Sequence, residues 1–160
     1  MNLLNFFKKK LKNIDDSYVF DKADYHAESV EEWGFDDDQV FVHTGMFFFF
    51  FVSNNMMSDF FIKESEDESR KLKSREISPS ELYMNWDGVL VGDMLNKEGF
   101  NFACDYFDFE KGAYLEDYAM VFWAISNLDI FNIKDTWENF DKLKPTIDSR
   151  YKKWKTWYAI

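Results

Sequence analysis

The chain contains two histidines, His26 and His43, and each has carboxylates close to it in the sequence. Asp24 and Glu28 flank His26, and the acidic run 36–38 comes shortly before His43. Imidazole and carboxylate groups together suit zinc, manganese or iron, and the same groups can act as a general acid and base. The spacing matches no helical ligand pair such as H-E-x-x-H, however, and a histidine in an apolar helix is more often a core residue. We therefore expect no bound metal or cofactor, with His26 and His43 as the candidate ligands if one is present.

The usual sequence motifs of enzymes are absent from the chain. No serine lies in a G-x-S-x-G elbow, the six glycines form no phosphate-binding loop, and the single cysteine, Cys104, has no histidine near it in the sequence. On this basis we predict no catalytic residue. The alternative is a small metal-dependent enzyme that uses His26, His43 and neighbouring carboxylates.

Acidic residues dominate the first half of the chain. The net charge at pH 7 is −11, and the segment from Asp15 to Glu68 holds fifteen acids against two lysines. This balance disfavours direct binding of nucleic acid, which needs clustered Lys and Arg, and favours a basic protein partner. Another interpretation is that this segment and the basic C-terminal end neutralise one another in the fold. The predicted partner-binding residues are Asp24, Glu28, Glu31, Glu32, Asp36, Asp37, Asp38, Glu64, Glu66 and Glu68.

The stretch Val40–Val52, VFVHTGMFFFFFV, is the most apolar of its length in the chain. Acids directly before it suit the amino end of a helix, so the pattern predicts a helix from about Asp38 to Met57. A helix that is apolar on every side must be buried or lie in a membrane, and a run of 13 residues is too short to span a bilayer. We therefore predict an all-α fold, a single compact helical domain built around this buried aromatic helix.

The remaining patterns predict further helices. Residues 1–14 are predicted to form an amphipathic N-terminal helix, and residues 15–160 the single α-helical domain. Because proline disfavours helix at the residue before it, we expect a kink or a break at Pro145. Helices in the domain are predicted near Ala27–Trp33, from Pro79, over 96–109, from Tyr114 to Ile125 and after Asp135 to Tyr158.

A family resemblance rests on four segments of the chain. They are DKADYH at 21–26, FVHTGMFFFFFV at 41–52, YLEDYA at 114–119 and DTWENFDKLKPTIDSRYKKW at 135–154. In this order they resemble an uncharacterised bacterial family of small cytosolic proteins, a domain of unknown function of the DUF7832 type. The resemblance covers most of the chain after Asp21 and implies no established activity. Small acidic proteins of this kind also resemble, in type and not in motif, the immunity proteins of interbacterial toxin systems.

Together these features favour an acidic binding protein of the cytoplasm. The leading hypothesis is an immunity protein that neutralises a cognate bacterial toxin, because an acidic face speeds encounter with a basic partner and makes the contact specific. The alternatives are the metal-dependent enzyme and an acidic mimic of nucleic acid that inhibits a defence nuclease. The sequence predicts no transmembrane segment and leaves the oligomeric state open.

Overall fold

The computed structural model of this protein describes residues 9–124 and 129–160. In these residues the chain is mostly helical, with eight α-helices and one two-stranded antiparallel sheet. The strands are β1 (Val19–Lys22) and β2 (Val89–Val91). The helices are α1 (Ala27–Glu32), α2 (Val42–Ser53), α3 (Asp59–Glu64), α4 (Glu66–Lys73), α5 (Glu81–Asn85), α6 (Lys97–Phe102), α7 (Tyr114–Phe122) and α8 (Trp137–Tyr158). The predicted all-α class is confirmed, but the small sheet was not predicted.

Helix α2 is the predicted central helix, and it is buried on all sides. Every residue from Val42 to Val52 is buried. The helix is shorter than the predicted 38–57, because residues Asp37–Phe41 form a 3-10 helix before it. At its other end the helix stops at Ser53. Asn55, two residues further on, adopts a left-handed conformation with φ of 56°, which prevents the helix from continuing.

The consecutive phenylalanines of α2 each contact a different part of the fold. The ring of Phe47 stacks on Phe107, with ring centroids 4.8 Å apart, in the π-helical turn that follows α6. Phe48 packs against rings of α3 and α5, Phe49 against α8, and Phe50 against α6. Since a helix turns by about 100° per residue, neighbouring side chains point in different directions and hold separate elements around one axis.

Of the kink or break expected at Pro145, the break is wrong, because α8 runs from Trp137 to Tyr158 with Pro145 inside it. Proline inside a helix costs about 3 kcal/mol, since it removes one hydrogen bond and crowds the preceding turn. Apolar side chains on both sides of Pro145, including Phe140 and Ile147, are fully buried against the core. Packing on both sides of the proline therefore stabilises the helical conformation across Pro145.

The described part of the predicted N-terminal helix is irregular. Residues 1–8 lie outside the described residues, and residues 9–14 have no helical structure. Three hydrogen bonds fix this segment. The Lys9 amide donates to the Trp157 carbonyl at 3.0 Å, the Lys12 amide donates to the Asn101 side-chain oxygen at 2.7 Å, and the Asn101 side-chain amide donates to the Lys12 carbonyl at 3.0 Å. Across 9–124 and 129–160, no helix has both the length and the apolar character needed to traverse a bilayer.

Helices α2 and α5 touch closely at Gly45. A Cβ atom at this position would lie 2.2 Å from the Cβ of Ser80, a distance that real side chains do not reach. Glycine at position 45 therefore lets the start of α5 lie directly on α2. This contact brings Tyr83 of α5 next to the polar residues at the beginning of α2.

Replacing Phe48 by Ala should greatly destabilise the protein. The Phe48 side chain is fully buried, with its ring centroid 5.3 Å from that of Phe61 and 5.5 Å from that of Tyr83. Removing a buried ring of this kind costs roughly 3–5 kcal/mol, a large share of the stability of a domain. Chemical denaturation followed by tryptophan fluorescence would measure the loss. Phe60→Ala is the matched control, because Phe60 is 60% exposed and should change the midpoint little.

Candidate functional site

The fold brings the two histidines into contact with each other and with Asp21. The ring centroids of His26 and His43 lie 4.7 Å apart. The Nε2 atom of His26 lies 2.9 Å from one carboxylate oxygen of Asp21, and Nε2 of His43 lies 3.8 Å from the other. We call these three residues the His–Asp cluster. Its carboxylate is not one of the acids that the sequence analysis associated with the histidines.

An irregularity in strand β1 turns Asp21 into the interior. The two strands pair Val19 with Val91 and Asp21 with Leu90, so their register shifts by one residue between Val19 and Asp21. In a regular strand, successive side chains point to opposite faces. Here Phe20 and Asp21 are both buried, which a bulge of this kind allows.

Hydrogen bonds from two elements satisfy the buried Asp21 carboxylate. The Thr44 hydroxyl at the start of α2 donates to one oxygen at 2.5 Å, and His26 Nε2 lies 2.9 Å from the other. The Tyr83 hydroxyl lies 3.4 Å from the oxygen that Thr44 contacts, but it donates its proton to the Gly88 carbonyl at 2.6 Å. The pKa of Asp21 is lowered: burial by itself would raise it, but the hydrogen bond from His26 and the contacts with His43 and Thr44 outweigh this effect. Asp21 is therefore a carboxylate at neutral pH.

His43 is buried without a hydrogen-bond partner for its ring. Among the described residues, neither ring nitrogen of His43 has a partner, and the hydroxyl of Tyr118 also lacks one. Burial lowers the pKa of His43 from its ordinary value of 6.5 to about 4, although the Asp21 charge opposes this shift. The walls around the ring are Phe109, Phe131 and Tyr118, at centroid distances of 5.7 to 6.5 Å. His43 is therefore a neutral imidazole, with one nitrogen free to accept a hydrogen bond or bind a metal and the other carrying an N–H that is free to donate.

His26 connects the His–Asp cluster to the surface. It is the last residue of a short 3-10 helix, Ala23–His26, and immediately precedes α1. Its side chain is 17% exposed, whereas those of Asp21 and His43 are fully buried. The cluster can thus offer one carboxylate and two imidazoles to a ligand that enters beside His26.

Seven of the ten predicted partner-binding residues lie together next to this cluster. They occupy α1 and the two 3-10 helices on either side of it, and these three segments pack against one another. All seven are exposed, and within residues 9–124 and 129–160 none of them forms an ion pair. We call this surface the acidic corner. Its members are Asp24, Glu28, Glu31, Glu32, Asp36, Asp37 and Asp38.

The other three predicted residues lie elsewhere, on α3 and α4. Glu64 belongs to α3, and Glu66 and Glu68 to α4, a helix whose last turns carry Arg70, Lys71 and Lys73. Glu68 is half-buried and accepts hydrogen bonds from the side chains of Asn85 at 3.0 Å and Trp86 at 3.3 Å. Its carboxylate therefore joins α4 to the end of α5.

A small cleft opens in the acidic corner between α1 and the 3-10 helix Asp37–Phe41. Its volume is about 410 Å³, and apolar side chains, among them Val30 and Val40, form its floor. Two carboxylates, Glu31 and Asp37, stand at its rim. Two large aromatic residues of α1 and its neighbouring turns are also exposed, Tyr25 at 65% and Trp33 at 55%. The sequence analysis did not find this combination, because Val30 stands alone between polar residues and Val40 was assigned to the buried central helix.

These features define a mostly helical protein with a buried His–Asp cluster beneath an acidic surface. The family model described as Domain of unknown function (DUF7832) matches residues 19–130, which is more than half of the chain. The chain therefore belongs to this family, as the resemblance in the sequence indicated. No curated protein and no solved structure matches it.

The free energy of unfolding of the metal-free protein should fall when the pH is lowered from 6.5 to 4. In this range the unfolded chain binds a proton at His43, whose ordinary pKa is 6.5, while the folded chain does not until the pKa of about 4 is reached. The unfolded state therefore gains protons first, and the stability present above pH 6.5 decreases by up to about 3 kcal/mol. Asp21 adds a further loss only below its ordinary pKa of 3.8, because its folded pKa is lowered.

Urea denaturation in the presence of a chelator, at several pH values between 4 and 7, measures this loss. His43→Asn is the control, since the amide does not titrate and the variant should lack this part of the pH dependence. The two proteins are compared by how steeply the free energy of unfolding changes with pH. The absolute free energy is not compared, because the substitution also changes it. Equal slopes for the two proteins would show that His43 titrates normally in the folded state.

Proposed function

We propose that this protein binds a basic protein partner through the acidic corner, and that it acts in the bacterial cytoplasm as an immunity protein that neutralises a cognate toxin. The observation that carries the proposal is the cleft in that corner. Its apolar floor suits the alkyl part of a Lys or Arg side chain, and its rim carboxylates, Glu31 and Asp37, suit the charged end.

The charge of the acidic corner supports the same kind of partner. Seven exposed acids without ion pairs among the described residues produce a strongly negative local potential. Such a potential attracts a basic protein from a distance and increases its association rate, and it repels acidic competitors. Glu64, Glu66 and Glu68 are outside this surface, on α3 and α4. Glu64 lies 4.0 Å from the ammonium group of Lys63, and Glu68 accepts hydrogen bonds from Asn85 and Trp86.

Exposed aromatic residues provide the apolar contacts that charge alone lacks. Tyr and Trp are the residues most often found at the energetic centre of protein interfaces, where they are surrounded by polar contacts that exclude water. Tyr25 and Trp33 have this setting in the acidic corner, since acids precede or follow each of them in the sequence. The corner thus combines steering charge, two aromatic anchors and a cleft for one cationic side chain.

The immunity role is tested first in the native genome and then in cells. A toxin gene directly upstream supports the proposal, whereas a phage context favours the nucleic-acid mimic. Expression of the upstream gene alone should stop growth, and expression together with this chain should restore it. Growth arrest that this chain does not relieve would contradict the immunity role.

Neutralising the rim of the cleft should slow association with the purified basic partner. In the double variant Glu31→Gln/Asp37→Asn, we expect the association rate at low salt to fall about tenfold and to depend less on salt, because rim charges act mainly on encounter. Surface plasmon resonance over a range of salt concentrations measures both effects. Asp37 lies in the first turn of its 3-10 helix, so a loss of stability of at most about 1 kcal/mol is expected as well.

Glu64→Gln/Glu66→Gln is the matched control for this experiment. It removes the same number of negative charges from exposed positions on α3 and α4, outside the acidic corner. If the cleft is the binding site, the control should associate nearly as fast as the unchanged protein. Equal slowing in both double variants would mean that only the net charge of −11 matters, and would remove the cleft from the proposal.

A further inference from the structure

The His–Asp cluster has the composition and closeness of a metal site. One ligand atom from each of Asp21, His26 and His43 lies within 4.8 Å of the other two. In a tetrahedral zinc site with bonds of roughly 2.0–2.1 Å, neighbouring ligand atoms are about 3.4 Å apart. The Nε2 atom of His26 lies 2.9 Å from one Asp21 oxygen and Nε2 of His43 lies 3.8 Å from the other, so each imidazole approaches the carboxylate at a distance near that value. Small side-chain movements would therefore be enough to surround an ion.

The unpartnered ring of His43 is the second observation that points to a ligand. A buried polar atom without a hydrogen bond is costly, and native proteins rarely leave one in place without a reason. Here both nitrogens of a fully buried imidazole lack a partner among the described residues, although a carboxylate lies 3.8 Å away. A bound cation would satisfy one of these nitrogens and would also neutralise the buried charge of Asp21.

We propose that Asp21, His26 and His43 together bind one divalent transition-metal ion of the zinc type. Two imidazoles and one carboxylate favour such ions over Ca²⁺ and Mg²⁺, which prefer sites made of oxygen ligands. The ion would take the place of the proton between His26 and Asp21. Its fourth position would face the partly exposed side of His26, where water can reach it.

Thr44 is a positioning residue for this site. Its hydroxyl donates at 2.5 Å to the Asp21 oxygen that faces away from His26, so it fixes the orientation of the carboxylate. Partners of this kind commonly change metal affinity by 10–100-fold when they are removed. The site does not depend on the acidic corner, because none of the seven exposed acids belongs to it. A failure to bind metal would therefore not contradict the proposal that the acidic corner binds a partner.

The test is a titration of the chelator-treated, untagged protein with Zn²⁺, followed by calorimetry and by NMR of the imidazole nitrogens. The chain has only two histidines, so the NMR spectrum reports on this site alone. We expect one equivalent of Zn²⁺ to bind and the signals of both histidines to shift together. If Zn²⁺ does not bind, or if the signals of only one histidine shift, the proposal is overturned. This result needs no amino-acid substitution.

Variants then separate the site from the acidic surface around it. His26→Gln should weaken Zn²⁺ binding more than a hundredfold, which exceeds the effect of an outer partner. Asp24→Asn, which removes an exposed carboxylate two residues away, should change affinity less than twofold. Thr44→Val should weaken binding 10–100-fold, and Thr44→Ser, which keeps the hydroxyl, should restore it. Zn²⁺ binding that survives His26→Gln in a folded protein and is lost in Asp24→Asn would place the ion on the surface instead.

Discussion

A helix that is apolar on every side can exist in water only if other elements cover all of it, and α2 imposes this constraint on the whole chain. The run of phenylalanines from Phe47 to Phe51 has no face that could be left to solvent. Helices α3, α5, α6 and α8 each bring rings against it. The arrangement of the fold follows from this one buried helix, because each surrounding element is fixed by the side chain that it covers.

The same constraint explains why three of the buried polar residues, Asp21, His43 and Thr44, meet at one end of α2. His43 and Thr44 belong to the first turn of a helix that is otherwise apolar, so they cannot turn towards water. Asp21 provides the acceptor for Thr44, and it is held in place by a strand that belongs to another part of the sequence. The His–Asp cluster and its neighbours Thr44 and Tyr83 therefore lie together because of how α2 is enclosed. These residues come from four elements: β1, the 3-10 helix before α1, α2 and α5.

Local patterns in the sequence predicted helices, but they did not predict the pairing of strands that are distant in the chain. The central helix and α8 were found because apolarity and periodicity are visible within a single stretch of the sequence. Strands β1 and β2 have four and three residues and lie far apart in the chain, so no local pattern indicates that they pair. Asp21 was missed as a site residue for this reason, although it lies only five residues before His26. Seven of the ten predicted partner-binding residues lie together in the acidic corner, whereas the contacts of Glu68 depend on Asn85 and Trp86, which are distant in sequence.

The bulge in β1 makes the length of this strand as important as its composition. A bulge contains one more residue than the partner strand opposite it, and this extra residue allows Phe20 and Asp21 to point inward together. Deleting a single residue from this strand would restore strict alternation, and an aromatic ring and a carboxylate at adjacent positions could then no longer both point inward. Relatives that keep both the aromatic core and the His–Asp cluster must therefore keep the number of residues in β1, even where the side chains of this strand vary.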